Sequence, residues 1–187
     1  MRQFKNILFL ADGSKGEKSA LTRAADLANK NHAKLTVFDA IETEDQGVFD
    51  PKTNSMIAAL RKTHLQERLK ELKSLCEAVV SKHPGLRVAV DVQAGNLARS
   101  AIRAVLVKHH DLVIKAPEGN TNKLKMLFGS IDQKLMRKCH CPVWIIKPSR
   151  KKHFRKILAA VDLSTFEPER ESLAKQIMAL STSLAKD

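Results

Sequence analysis

Residues 4–14 read Phe-Lys-Asn-Ile-Leu-Phe-Leu-Ala-Asp-Gly-Ser, and residues 154–164 read Phe-Arg-Lys-Ile-Leu-Ala-Ala-Val-Asp-Leu-Ser. Each stretch is a basic lead-in, a short apolar run and Asp-x-Ser, and a helical pattern follows each. An apolar run of this length bounded by charges and turn residues suits a strand buried on both faces, as in a parallel sheet. The offset of 150 residues is domain-sized, not a solenoid period. The fold therefore starts twice. One domain is expected over 1–148, a short basic linker over 149–153, and the first β-α unit of a second, truncated domain over 154–187.

The rest of the first domain follows the same alternation. Leu21, Ala24, Ala25 and Ala28 make a helical stripe between Lys18 and Lys30, and Leu35–Ala40 reads as a second strand. Residues 42–53 form a polar connection of the kind that covers a site. A long helix is predicted over 55–82, its inner face Leu60, Leu65, Leu69, Leu72, Leu75 and Val79, and Pro84-Gly85 ends it. Strands follow at 87–93, 111–115 and 142–147, with helices at 97–109 and 129–138 between them. Strands alternating with helices specify an α/β fold: a Rossmann-like, five-stranded parallel sheet flanked by helices. Ligands in such sheets sit beyond the carboxyl ends of the strands near the switch point, which singles out Asp12, Asp39 and the 116–130 loop.

Composition narrows the classes. The net charge is +13, and residues 1–150 carry 26 basic against 15 acidic groups. These cations are distributed over several helices instead of one run, which reads as solvated surface. Tyrosine is absent and Trp144 is the only tryptophan, so a stacking platform for single-stranded nucleic acid is disfavoured and a nucleic-acid partner is not expected. No apolar run approaches the roughly 18 to 20 residues of a membrane span. Three cysteines, Cys76, Cys139 and Cys141, make no disulfide framework, and a cytoplasmic setting is expected. Cys139-His140-Cys141 lacks the second ligand pair of a zinc site and reads as turn or core sulfur.

The loop reads Ala116-Pro-Glu-Gly119-Asn-Thr-Asn-Lys-Leu-Lys-Met-Leu-Phe-Gly129-Ser130. Gly119 and Gly129 permit close backbone approach to an anion, and Gly129-Ser130 opens a helix whose N-terminal amides favour phosphate. Lys115, Lys123 and Lys125 add positive charge. Two readings stay open for Ser130: a cap for its own helix, or a hydroxyl offered to a phosphate.

These motifs resemble the universal stress protein family, whose nucleotide-binding members carry Gly-x2-Gly-x9-Gly-(Ser/Thr) after the fourth strand. Gly119, nine intervening residues and Gly129-Ser130 match the second part, and Ala116 stands where the first glycine would be. Asp12-Gly13-Ser14 after strand one, Gly95 after strand three and Cys141-Pro142-Val143 opening strand five match as well. The resemblance covers residues 3–148 and again 154–187, the tandem form of the family.

The resemblance implies a regulatory role in stress response through binding of ATP or another adenine nucleotide, with Mg accompanying it. Asp12 would then lie near adenine or ribose, while Gly119, Gly129 and Ser130 would hold phosphates. It also implies a partner at strand 142–147, either a second copy or the remainder of the second domain. Slow ATP hydrolysis is the most enzymatic reading, with Asp12, Asp39 and Ser130 as the contributors. The alternative classes are a nucleotide-independent protein-interaction domain with a degenerate phosphate loop, and a weakly nucleic-acid-binding basic module.

Overall fold

The computed structural model describes residues 3–42, 51–118, 130–147, 156–161 and 168–185. The chain forms two compact units, 1–148 and 149–187.

In the first unit, strands and helices alternate as the hydrophobic pattern requires: β1 Asn6–Leu10, α1 Glu17–Asn31, β2 Lys34–Ile41, α2 Pro51–Val80, β3 Arg87–Ala94, α3 Leu97–Lys108, β4 Leu112–Lys115, α4 Ser130–Lys138 and β5 Val143–Ile145. All four ladders are parallel, in the order β3-β2-β1-β4-β5. The chain winds outward from β1 to β3 and then crosses back to β4, so the switch point lies between the carboxyl ends of β1 and β4. Asp12 and Lys115 meet there.

Ile7, Leu8, Phe9 and Leu10 are all buried, which explains why β1 reads as a continuous apolar run instead of an alternating one. Against one face lies α1, whose Ala20, Ala24, Ala25 and Ala28 are buried and allow close approach of helix to sheet. On the other face Leu8, Leu10, Phe38 and Val113 pack with Leu97, Ala101, Ala104 and Val105 of α3 and Leu135 of α4. The start of the sheet is fastened by Asp111, whose carboxylate accepts hydrogen bonds from the backbone of Lys5 at 2.6 Å and Asn6 at 3.1 Å.

The long helix departs from expectation at its start. Leu60 is 59% exposed and Met56 62%, whereas Leu72 and Cys76 are buried. Only the later turns of α2 reach the sheet, because the helix outruns the strand it covers. Of the 42–53 connection, residues 43–50 lie outside the described residues and 51–53 already belong to α2.

In the second unit α5 spans Pro168–Ala185, with Leu173 and Met178 more than half exposed. The strand expected before it is not formed over residues 156–161, and Leu158 is 95% exposed. A lone strand has no neighbour to complete its hydrogen bonds.

Candidate functional site

Side chains alternate across the sheet, so consecutive residues at the carboxyl ends of the strands serve opposite faces. Two ionic clusters result, one on each face.

The first centres on Lys115. It ends a strand whose other residues are Leu, Val and Ile, and its side chain is fully buried. Its Nζ lies 2.5 Å from Asp12 Oδ2 and 3.1 Å from Asp132 Oδ1, and donates to the Ala116 carbonyl at 2.8 Å. Asp132, in the first turn of α4, is also fully buried. Asp12 Oδ1 accepts from the Ser14 amide at 3.0 Å, an Asx turn that holds the carboxylate over the end of β1. Asp132 Oδ2 accepts from the Glu118 amide at 3.3 Å, and Glu118 Oε2 accepts from the Ile131 amide at 3.4 Å. The Glu118 carboxylate therefore sits at the N-terminus of α4, where the macrodipole and unpaired amides favour an anion.

The second cluster centres on Arg68 of α2. Its Nε donates to Asp39 Oδ2 at 2.7 Å, its Nη2 to Glu17 Oε2 at 3.3 Å and its Nη1 to Glu71 Oε2 at 3.1 Å. Glu17 also accepts from the Gly13 amide at 2.6 Å, and Gly13 has φ +69°, a left-handed turn suited to glycine. Burial pushes the Asp39 carboxyl above its ordinary range, against the pull of Arg68. The guanidinium is itself opposed by burial, yet its bonds to Asp39 and Glu71 raise its pKa further.

The residues expected at the site divide accordingly. Asp12, Asp39, Ala116 and Ser130 do come to the carboxyl end of the sheet, and Ala116 is buried while Ser130 is exposed. Gly119 and Gly129 lie outside the described residues. Sequence reading missed Asp132, Glu118, Glu17 and Arg68, and it took Lys115 as positive charge added around the loop, not as a buried partner of Asp12 and Asp132. The available signal was Lys115 itself, a lysine ending an otherwise apolar strand, since buried cations require partners.

Among the described residues no group of three or more His, Cys, Asp or Glu is arranged to hold a metal ion. Cys139 and Cys141 are free thiols that share a hydrogen bond. That bond lowers the pKa of Cys139 and, with burial, raises that of Cys141.

Among the described residues at this end of the sheet, the carboxylates Asp12, Glu17, Asp39, Glu118 and Asp132 outnumber the cations Lys115 and Arg68. Asp12 is engaged by Lys115, and the Ile131 amide in the first turn of α4 by Glu118.

Comparison with known proteins supports the fold directly. A solved structure from Pseudomonas aeruginosa, described as functionally unknown, superposes with a TM-score of 0.66 at 24% identity, covering 99% of this chain and 58% of its own. A universal stress protein in complex with cAMP superposes with a TM-score of 0.54 at 18% identity, covering 78% of this chain and 98% of its own. Universal stress protein E of Photorhabdus laumondii is 27% identical over 193 residues, which is 95% of this chain and 60% of that protein. The chain spans about three fifths of the length of these curated relatives. Residues 3–147 match the universal stress protein family as a whole. With the parallel five-stranded sheet, its 3-2-1-4-5 order and that match over most of its length, the chain belongs to the universal stress protein family.

Proposed function

We propose that this chain is a regulatory universal stress protein unit that works through surface contacts, its switch-point crevice closed by its own side chains instead of an adenine nucleotide. Residues 154–187 are, on this reading, the opening of a second copy of the fold. The observation that carries the proposal is the fully buried Lys115 Nζ held between Asp12 and Asp132. Exchanging that internal cation for a ligand would strand two carboxylates in a dry crevice. Glu118 supports the reading from the other side, since its carboxylate fills the place of a phosphate at α4. Hydrolysis of ATP is disfavoured for the same reason: Asp12 and Asp39 are both engaged by cations of this chain.

The partner surface includes the sheet edge. Among the described residues β5 pairs with β4 on one side only, and an open edge calls for a second strand, from another copy or from the rest of a second domain. The free thiols of Cys76, Cys139 and Cys141 support a reducing, cytoplasmic setting.

Adenylate binding is the competing reading, favoured by the Gly119-x9-Gly129-Ser130 spacing and by the cAMP complex of a relative. Calorimetric titration of nucleotide-stripped protein with Mg-ATP and with cAMP decides between them. No heat and no thermal shift are expected. Micromolar binding that disappears in Gly129→Val would overturn the proposal.

A further inference from the structure

We infer that the outward face of α3 and α4 is a docking surface for the phosphodiester backbone of a nucleic acid duplex. The inference is independent of whether the crevice holds a nucleotide.

In the sequence these cations lie on two separate helices. The fold sets them side by side, because α3 and α4 pack on one face of the sheet around the same core. Helical spacing then sorts each helix. Leu97, Ala101, Ala104 and Val105 turn inward, so Arg99 and Arg103 line the outer side of α3. Leu135 turns inward, so Lys134, Arg137 and Lys138 line the outer side of α4. All five are exposed, and none forms an ion pair among the described residues. α3 carries no acidic residue, and the only one of α4, Asp132, is buried.

Ordinary surface helices mix signs. α1 on the opposite face does so, carrying exposed Asp26 among Lys18, Arg23 and Lys30. Helix stability accounts for some of the basic residues on α3 and α4, since Arg137 and Lys138 in a last turn suit the macrodipole. It does not account for Arg99, which stands in the first turn of α3 where the dipole disfavours a cation, or for Arg103 and Lys134 in mid-helix. A single-sign face assembled from two helices is the electrostatic footprint of a polyanion.

Three features favour a duplex over other anions. Neither helix carries an aromatic side chain on which an unpaired base would stack. Its exposed large apolar residues, Leu106, Val107 and Met136, are too few to insert into a bilayer. Its cations include guanidinium groups, whose planar forks match phosphate oxygens. DNA and RNA duplexes share this chemistry, and recognition through the backbone carries no base sequence.

The test is fluorescence anisotropy with labelled 20-base-pair DNA and RNA duplexes of arbitrary sequence, between 50 and 200 mM salt. The variants are Arg99→Glu/Arg103→Glu/Lys134→Glu and the control Lys18→Glu/Lys70→Glu/Lys73→Glu, which changes net charge equally on α1 and α2. Wild type is expected to bind at least one duplex and to weaken about 3.5-fold per phosphate contact over that salt range. The α3–α4 variant should lose most binding and show a shallower salt slope, with circular dichroism and melting temperature reporting that it stays folded. The control should stay within a few-fold of wild type. Equal losses in both variants, or no binding to either duplex at 50 mM salt, would overturn the inference. So would binding to vesicles of equimolar phosphatidylserine and phosphatidylcholine in the absence of duplex binding, which would reassign the face to membranes.

Discussion

Lys115 is the residue on which the first unit turns. Replacing it with methionine keeps the volume but leaves Asp12 and Asp132 facing each other in a buried crevice. Lys115→Met is expected to cost about 3–5 kcal/mol, the usual penalty for breaking a buried ion pair from one side. Urea denaturation at pH 7 measures it, and a loss below about 1 kcal/mol would mean that the carboxylates are hydrated. His110 gives a second residue-scale outcome. It is 5% exposed, and burial lowers its pKa below the ordinary 6.5, with Lys108 adding to the effect against the Asn6 backbone and Asp111. A histidine held neutral in the folded state is protonated first in the unfolded state. Its stabilising contribution is therefore present above about 6.5 and declines as pH falls through the lowered folded value. Unfolding midpoints from pH 7.5 to 5.5 should fall more steeply for wild type than for His110→Phe, and parallel curves would refute this. His110 does not announce its burial in sequence, and Lys115 does so only as a lysine ending an apolar strand; the packed sheet is what removes both from water.

At the scale of elements, the alternation of strands and helices was legible from apolar periodicity, and α3 also from Asn96, whose side chain accepts from the Arg99 amide at 3.2 Å as an N-cap. What periodicity could not reveal is how far each element extends into the core. The leucines of α2 repeat at helical spacing from Leu60 onward, yet burial begins only after the helix crosses onto the sheet. Arg68 is the polar fastening of that crossing, joining α2 to β2 through Asp39 and to α1 through Glu17. Arg68→Met should destabilise the unit by about 1–3 kcal/mol, since Asp39 is left with a lost charged donor beside Glu17. Hydrogen exchange should show the loss concentrated in α2, and uniform loss of protection across the sheet would contradict a local fastening.

At the scale of the molecule, the proposed assembly runs through the edge of β5 that is open among the described residues. Val113 donates to the Pro142 carbonyl at 3.0 Å, and Ile146 donates to the Lys115 carbonyl at 2.8 Å. Even-numbered residues of this segment thus face β4, and the Ile145 amide points to the open edge. Wild type is expected to sediment as a dimer at tens of micromolar, and Ile145→Pro, which deletes only an outward donor, should yield monomer. A monomeric wild type, or a dimeric variant, would move the interface elsewhere.

The order of elements, the parallel sheet, the family and the position of Asp12 and Asp39 at its carboxyl end were all contained in local pattern, because period, turn residues and glycine spacing act over a few neighbours at a time. The state of the crevice was not. Asp12, Lys115 and Asp132 are distant in the chain, as are Arg68, Asp39 and Glu17, and each is an ordinary charged residue when read along it. The same holds for the cations of α3 and α4, which become one face only when both helices pack on the same core. Coulombic interactions depend on distance and dielectric, and in this protein both are set by the packing of the sheet.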